Sequence, residues 1–339
     1  MSNTLLTIGM ITRETLRVLE NELTFTRQIN RSYDDQFAKA GAKIGNVLNV
    51  RLPVRFSYSQ GQGLALQDLT ESSVPVTLNM QYQRSFAITS ADLALSVDDF
   101  RKRFIEKAMK SMANQIDQDG LALYKTVNNE VGTPGSLPTT IQTYLDAGTL
   151  LSNEACPLED RCLVISPAMN GAIVGALTGL FNPQKTVSER WMKGMMSKET
   201  VGFDWYMDQN CNQHTVGLQG GTPLANGSGA TQLGASIITD GWTASTQVLN
   251  RGDVIQFNNV FAVNPQSLQT FGTLANFDVT ADVTSDGSGN APIPVQINGA
   301  GAVLVGPGQN VSQAIADTAA ITVNGASATK SQRGLAFHP

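Results

Sequence analysis

The chain has 339 residues and a formal net charge of −5, and charged residues make up only 15% of it. This length permits two or three domains. The acidic balance argues against a protein whose main task is to bind nucleic-acid phosphates. The three cysteines (Cys156, Cys162 and Cys211) are too few and too irregularly spaced for a disulfide framework, which favours a reducing compartment. No apolar run approaches the ~18 residues of a membrane span, so no membrane partner is expected.

The N-terminal region predicts a helix from Thr12 to Ile29. Leu16, Leu19 and Leu23 recur on one face at helical spacing, with charged residues on the other faces. The residues before this helix are mostly uncharged, and a polar connection follows it.

Two segments after the helix alternate strictly between apolar and polar residues. Every even position from Val50 to Tyr58 is apolar, and the same pattern returns from Val74 to Tyr82. Because the two runs share one phase, they predict a long antiparallel hairpin with one apolar face. The tip, residues 59–73, has no core pattern.

Residues 96–131 predict one unusually long amphipathic helix. Apolar side chains recur from Val97 to Val127 at helical spacing, which leaves Lys110 and Asp117 directed toward water. About 35 residues at ~1.5 Å rise would make a rod of roughly 50 Å. A rod with a single apolar face needs a partner along its length.

The segment after this helix has α/β character. A helix is predicted over Thr139–Ser152, a buried strand over Arg161–Ile165, and a further strand over Phe203–Met207. Between the strands, Ser166 followed by Pro167 is a typical start of a helix, because serine caps free N–H groups and proline suits the first helical position.

From Gln219 onward glycine, serine, threonine and asparagine dominate, and short strands separated by turns indicate an all-β barrel or sandwich. One helix is predicted here, over Gln309–Asp317, and residues 285–290 predict a tight turn. The predicted strands are Ala235–Ile238, Asp253–Phe257, Val260–Val263, Leu268–Phe271, Phe277–Val283, Ile293–Ile297 and Ala302–Val305.

Residue patterns that could carry chemistry are weak. Cys211 and His214 have the spacing of a metal-ligand pair, but no second pair follows, so a loop histidine is favoured over a metal site. Asp117 and Asp119 are interpreted as solvated charges rather than as paired catalytic carboxylates.

No nucleotide-binding glycine loop and no nucleophile elbow occurs in the sequence. Arg251-Gly252-Asp253 matches a cell-adhesion tripeptide, but a match this short is most often due to chance. We therefore predict no enzyme, no catalytic residue, no cofactor and no metal.

The order of these parts resembles the major capsid proteins of tailed double-stranded DNA bacteriophages, whose fold also forms the floor of herpesvirus shells. The closer resemblance is to the coat proteins of short-tailed phages (podoviruses), which carry an inserted β-barrel domain, and it extends over essentially the whole chain. The stretches that carry it are Leu5–Thr7, Thr12–Phe37, Gly45–Pro53 and Leu249–Pro294, the last with Gly252–Val254, Val260–Pro265 and Phe277–Asp286.

The resemblance implies an α+β capsid fold divided into five parts. These are an N-terminal arm (1–40), a peripheral domain (41–132) with an extended hairpin loop (48–84) and a spine helix (96–131), an axial α/β domain (133–221), an inserted β-barrel-like domain (222–325), and a return toward the axial domain (326–339). Family members continue for many tens of residues past Leu335–His338, so a missing C-terminal part is expected; a shorter family member is the alternative.

Contacts between subunits are expected on the hairpin and on the arm, which would latch onto a neighbour. For any single charge, a solvated side chain worth less than ~1 kcal/mol is the alternative. The candidates are Arg51, Arg55, Gln60, Gln62, Asp68 and Glu71 on the hairpin, and Arg13 and Arg17 on the arm.

The function that this resemblance implies is self-assembly, through hexamers and pentamers, into the icosahedral virion shell that encloses a phage genome. Expected partners are copies of the chain, a scaffolding protein, a portal and a decoration protein, with DNA contacted only non-specifically. Assembly is expected in the cytoplasm of the host bacterium. The alternative is a β-rich tail or receptor-binding component that uses residues 222–325, although the α/β first half and the single tryptophan there, Trp242, argue against it.

Overall fold

The computed structural model describes residues 8–30, 47–51, 73–77, 80–85, 101–176, 200–297, 302–305 and 309–339. These residues form two compact units, one with the described residues up to Leu121 and one from Ala122 to His338. The structure mixes helices and sheets, so the predicted α+β class is confirmed. The second unit begins inside the predicted peripheral domain and contains both the axial and the inserted regions, so the five-part division remains a prediction.

The described residues of the first unit form three helices and a strand pair. Its helices are α1 (Ile8–Glu22), α2 (Phe25–Gln28) and α3 (Glu106–Leu121), with a π-helical turn (Arg101–Ile105) before α3, and its strands are β1 (Val47–Arg51) and β2 (Ser73–Thr77). The predicted N-terminal helix is thus confirmed but broken at Leu23 and Thr24.

The predicted hairpin is confirmed where the structure describes it. Strands β1 and β2 are antiparallel, and Val50 lies opposite Val74 as the shared phase of the two runs requires. The predicted extent to Tyr82 is wrong, because residues 80–85 have no regular structure and the Tyr82 hydroxyl instead donates to Asp119 at 2.7 Å. Residues 52–72, with the tip of the hairpin, lie outside the described residues.

The long helix is shorter than predicted. After α3 the chain tightens into a 3-10 turn (Ala122–Thr126), and residues 127–131 are not helical. Thr126, Val127, Asn128 and Asn129 are poor helix formers, and the turn is closed by bonds from the Val127 N–H to the Tyr124 carbonyl and from the Thr126 hydroxyl to the Leu123 carbonyl. Residues 96–100 are outside the described part.

In the part of the second unit that the structure describes, two helices are combined with short strands. Its helices are α4 (Ile141–Asn153) and α5 (Pro167–Ala176). Its strands, in chain order, are β3 (Cys162–Ile165), β4 (Asp204–Met207), β5 (Gln213–Thr215), β6 (Gly221–Ala225), β7 (Ser236–Trp242), β8 (Gln247–Leu249), β9 (Val254–Phe257), β10 (Phe261–Val263), β11 (Thr270–Leu274), β12 (Phe277–Val279), β13 (Val283–Thr284), β14 (Ala291–Gln296), β15 (Ile321–Val323), β16 (Lys330–Gln332) and β17 (Leu335–Phe337).

The α/β region is built on a three-stranded sheet of order β17-β3-β4. Strands β3 and β4 are parallel, and β17 returns from the C-terminal end to pair antiparallel with β3. The predicted cap of α5 is confirmed, because the Ser166 hydroxyl accepts the Met169 N–H at 3.2 Å. Helix α4 covers one face of the sheet, where Tyr144 packs with Leu163, Ile165 and Trp205.

The glycine-rich region folds into a barrel. Six strands pair in the order β15-β9-β12-β14-β7-β6, and a bridge between Leu224 and Ala320 joins the two outermost strands. The Ala225 N–H donates to the Ala319 carbonyl at 2.9 Å across this seam, so the sheet closes on itself there. The barrel core is apolar and tightly buried, with Phe257 and Phe277 in edge-to-face contact at a centroid distance of 5.1 Å.

Three details of this region differ from the sequence prediction. Gln309–Asp317 forms no helix, because Val311 and Ile315 are buried in isolated bridges to the barrel. Phe277–Val283 divides into β12 and β13, which pair with different strands, and the described residues 302–305 make only one bridge, at Val303. The predicted turn at residues 285–290 is confirmed, since the Asp286 carboxylate accepts the Ser288 and Asn290 N–H groups at 2.8 Å each.

Candidate functional site

In the first unit, the N-terminal helix packs on α3. Val18 of α1 is buried with Ile105 and Met109, and Leu19 and Ala108 pack against them. One face of residues 8–30 thus docks on a helix of the same chain, and the expectation that the arm latches onto a neighbouring subunit remains a prediction.

Asp117 of α3 holds the end of this arm. Its carboxylate accepts the Thr24 N–H at 2.7 Å, the Thr26 N–H at 3.0 Å and the Thr26 hydroxyl at 2.7 Å. These N–H groups lie at the start of α2, where they have no partner within the helix. Asp117 is only 2% exposed, so the prediction that it is a solvated charge is wrong. The sequence pattern of α3 could not show this, because the donors lie more than 90 positions away.

A glycine lets the arm come close to α3. The ring of Phe25 lies over Gly120, and a Cβ atom there would be 2.7 Å from Phe25 Cε1. At the other end of the contact, Lys110 Nζ lies 3.6 Å from Glu22 Oε1 on the surface. The arm is thus fixed by a buried carboxylate and a buried aromatic ring, with a weak surface ion pair beside them.

Only two of the eight predicted contact residues have side chains that the structure describes. Arg13 is exposed on α1, and Arg17, also exposed, pairs with Glu14 of the same helix at 2.8 Å. Arg51 ends β1, and nothing further is described of its side chain. The others lie outside the described residues, and the role of all eight in subunit contacts remains a prediction; they are Arg55, Gln60, Gln62, Asp68 and Glu71.

Apolar side chains remain exposed in this unit. Leu16 is 57% exposed although it belongs to the predicted apolar face of α1, whereas Leu23 of the same face is buried. Met80 is 65% exposed. Because exposed apolar groups gain free energy when they are covered, Leu16 and Met80 are candidates for contact with another molecule that the sequence pattern did not single out.

In the second unit, His214 lies in a buried polar network. Its Nε2 atom is 2.8 Å from Asp253 Oδ1, and its Nδ1 atom is 3.1 Å from the Tyr124 hydroxyl. With the proton on Nε2, the ring donates to Asp253 and accepts from Tyr124, so both nitrogens are satisfied. The second oxygen of Asp253 accepts the Gly217 N–H at 3.0 Å and the Asn250 N–H at 2.7 Å.

This network corrects the interpretation of His214 and agrees with that of the Arg251-Gly252-Asp253 tripeptide as a chance match. His214 is 3% exposed and sits on β5, so it is not a loop histidine, and neither ring nitrogen is left for a metal ion. Asp253 is 1% exposed, so the Arg251-Gly252-Asp253 tripeptide cannot present its carboxylate to a receptor. Burial raises the pKa of the neighbouring Cys211 thiol to about 12, which makes it unreactive.

A second buried carboxylate lies close to this network on β12. Asp278 is fully buried, and its Oδ2 atom accepts from Gln296 at 3.2 Å. Burial raises the pKa of Asp278 to about 7, and the negative charge of Asp253 acts in the same direction, whereas the Gln296 hydrogen bond and Arg251 oppose the shift. Asp253, through His214, and Gln296, which also donates to the Thr126 carbonyl, connect the barrel to the turn at Tyr124. The described groups form no nucleophile–base pair, so this network joins two parts of the unit and is termed the joint at Tyr124.

Comparison with known proteins identifies the family of the chain. The family model that matches the chain is described as "P22 coat protein - gene protein 5", and it matches residues 2–333. The class is therefore that of a viral coat protein, a structural subunit of a capsid. The chain belongs to the P22 coat protein family. A comparison with curated protein sequences finds no match.

Solved structures of phage proteins show weak overall likeness. The chain is similar to a protein of Mycobacterium phage Che8, with 12% identity, a TM-score of 0.42, and coverage of 89% of this chain and 90% of that one. It is also similar to the capsid of Cyanophage P-SCSP1u (13% identity, TM-score 0.36, coverage 76% and 82%) and to the mature capsid of bacteriophage PhiM1 (10% identity, TM-score 0.37, coverage 86% and 81%).

The family membership agrees with the function that the sequence implied. The chain is a major capsid protein that assembles into a shell and resides in the virion capsid. The alternative of a tail or receptor-binding component has no support from this family match. The helices in the described part of the chain are too short or too polar to span a lipid bilayer.

Proposed function

We propose that the chain assembles its shell inside the host cell with the help of other viral proteins, in addition to binding copies of itself. A scaffolding protein directs curvature, a portal occupies one vertex, and a decoration protein binds the finished surface. Packaged DNA is contacted only non-specifically, and assembly takes place in the cytoplasm of the host bacterium. The family match over residues 2–333 carries this proposal.

The chemistry of the chain supports a structural rather than a catalytic role. The net charge of −5 disfavours a dedicated DNA-binding surface, so DNA is expected to enter by a motor rather than by attraction to the shell lining. The buried carboxylates Asp117 and Asp253 are engaged in fixing the arm and the joint at Tyr124. Their positions suit a subunit that must stay rigid while it makes many repeated contacts.

The contacts between subunits are proposed to involve the hairpin and the exposed face of α1. Arg13, Arg17 and Leu16 lie on that helix, and Leu16 offers apolar area to a neighbour. Each such contact is expected to be weak alone, because exposed ion pairs are worth at most ~1 kcal/mol. A closed shell repeats them many times.

The test is negative-stain electron microscopy of the purified protein, expressed with and without its neighbouring viral genes. Closed shells that form only with those genes support the need for a scaffolding partner. Shells that form equally well from the chain alone refute that need, and discrete trimers or monomers under every condition refute the assembly proposal.

A further inference from the structure

The net charge of −5 is distributed unevenly along the chain. In the first unit, the described residues include ten arginines and lysines against six aspartates and glutamates, a net charge of +4. In the second unit they include five against thirteen, a net charge of −8. Each copy therefore carries one cationic part and one anionic part, and surfaces of opposite charge attract each other when two copies meet.

The cationic part has a defined surface around α3. Lys107 and Ser111 are one helical turn apart and share a face, and the Arg84 guanidinium donates to the Ser111 hydroxyl at 2.8 Å, which brings a second cation near Lys107. Arg84, Arg103 and Lys107 are exposed, and none of them pairs with a carboxylate among the described residues. Met80, on the same segment as Arg84, is 65% exposed. These four side chains, Met80, Arg84, Arg103 and Lys107, are termed the cationic surface.

The anionic part presents a loop of matching composition. Residues 157–160 lie between α4 and β3, and all four are exposed. Leu158, at 76%, is the most exposed large apolar side chain in the described part of the chain. Glu159 and Asp160 follow it, and neither carboxylate forms an ion pair with a described residue. An apolar side chain next to two anions fits a surface that has an apolar side chain next to cations.

A buried arginine holds this loop in one conformation. Arg161 is only 5% exposed, and its Nε and Nη2 atoms donate to the carbonyls of Pro157 and Cys156, each at 2.7 Å. Its Nη1 atom donates to the Gly148 carbonyl of α4 at 3.1 Å. The guanidinium thus joins the base of the loop to the helix before it. A loop that is already ordered loses little conformational entropy when it binds, so residues 157–160 are suited to a contact with another molecule.

We propose that loop 157–160 of one copy docks on the cationic surface of a neighbouring copy. Leu158 then covers Met80, and Glu159 pairs with Lys107. A second copy is the fitting partner, because one chain carries both complementary surfaces and a coat protein is surrounded by copies of itself. The inference rests on the assembly of the chain into a shell.

DNA is the competing partner for the cationic surface, because its phosphates also bind exposed cations. The apolar side chains favour a protein partner. Covering Met80 and Leu158 removes apolar area from water, and a charged phosphate backbone offers little apolar area in exchange. DNA would also leave the ordered anionic loop 157–160 without a role. The two surfaces together therefore fit a contact between copies.

Charge reversal tests the proposal, with assembly followed by light scattering and electron microscopy. Lys107→Glu and Glu159→Lys should each slow assembly by about tenfold or more, because each brings like charges together across the contact. The double variant restores opposite charges and should assemble within about threefold of the wild-type rate. Lys330→Glu is the matched control, since Lys330 is exposed on β16 outside both surfaces. Wild-type assembly rates in both single variants, or a double variant no faster than either single one, would overturn the proposal.

Cross-linking shows whether the contact joins two copies. Shells are assembled from a mixture of isotope-labelled and unlabelled chains and treated with a carbodiimide, which joins a lysine amine to a carboxylate in contact with it. Mass spectrometry should find Lys107 of one isotope joined to Glu159 of the other in shells, and no such pair in free subunits. Pairs confined to chains of one isotope would place the contact inside a single chain and overturn the proposal.

Fluorescence anisotropy of a short DNA duplex with free subunits tests the competing partner. If Lys107→Glu abolishes DNA binding and leaves the assembly rate unchanged, the cationic surface serves DNA and the proposal is wrong. Failure of assembly itself is distinguishable, because the wild type and Lys330→Glu would then form no shells either.

Discussion

Replacing Asp117 by alanine should release the N-terminal arm from α3. The change removes the acceptor of three hydrogen bonds at 2.7, 3.0 and 2.7 Å and leaves two N–H groups and one hydroxyl without a partner. Hydrogen bonds to a charged group contribute about 1.5–3 kcal/mol each when deleted singly. Because the three share one carboxylate and the freed donors regain water, we expect a loss of about 3 kcal/mol, which is a factor of roughly 100 in the opening equilibrium of the arm.

Hydrogen exchange of the α1 amides is the direct assay, since these amides do not themselves bond to Asp117. Their protection should fall about 100-fold in Asp117→Ala. Lys110→Ala is the control, because it removes only a surface ion pair of 3.6 Å to Glu22, and it should change protection less than about threefold. A double-mutant cycle with Thr26→Val should show coupling above ~0.5 kcal/mol. If Asp117→Ala and Lys110→Ala lose the same small amount of α1 protection, the buried carboxylate does not hold the arm.

Three further predictions concern the second unit. Gly221→Ala should destabilise the barrel by at least ~2 kcal/mol in urea unfolding, because φ is +81° and the new Cβ would lie 2.0 Å from the Gly241 carbonyl oxygen. Gly229→Ala is the control: its φ is +87° but its Cβ would meet no atom, so it should cost only ~1 kcal/mol. Asp253→Ala should cost about 3 kcal/mol in thermal unfolding, because it leaves the Nε2–H group of His214 and the N–H groups of Gly217 and Asn250 without their acceptor. A loss below ~1 kcal/mol would show that the network is not needed. Asp278, whose pKa burial raises to about 7, keeps its proton in the folded chain when the unfolded chain has released it, so the stability of the wild type should fall as pH rises from ~4 to ~7. Asp278→Asn should remove this pH-dependent loss of stability. If the difference in urea midpoint between Asp278→Asn and the wild type is the same at pH 4.5 and at pH 8, the raised pKa of Asp278 is refuted.

Local patterns in the sequence predicted those elements that depend on local rules. The alternation around Val50 and Val74 fixed the register of the hairpin, because a shift by one residue would turn every apolar side chain to the wrong face. Ser166 and Pro167 marked the start of α5 in the same way. These signals lie within a few residues of the feature that they predict.

The residues that matter most for rigidity gave no such signal. Asp117 looked solvated because the arm that covers it is distant along the chain, and His214 gains its partner Asp253 from the turn before β9, 39 positions away. Likewise, Val311 and Ile315 are spaced as on a helix, but both side chains are buried and their backbones form isolated bridges to the barrel. The periodicity of a sequence indicates which side chains will be buried, but the surface that buries them depends on the tertiary fold.

The two chain segments that lead into and out of the barrel run side by side. The Val216 N–H donates to the Thr329 carbonyl at 2.9 Å, the Ala328 N–H to the Gly217 carbonyl at 3.2 Å, and the Ser327 hydroxyl to the Leu218 carbonyl at 2.6 Å. Residues 219–325 therefore leave and rejoin the rest of the chain at nearly one point, as a cassette does. A gene that gained, lost or exchanged this cassette would need only a short turn to reconnect the host sheet, since closing a short loop costs little entropy. The length of the barrel can thus change without lengthening the connection to the rest of the subunit.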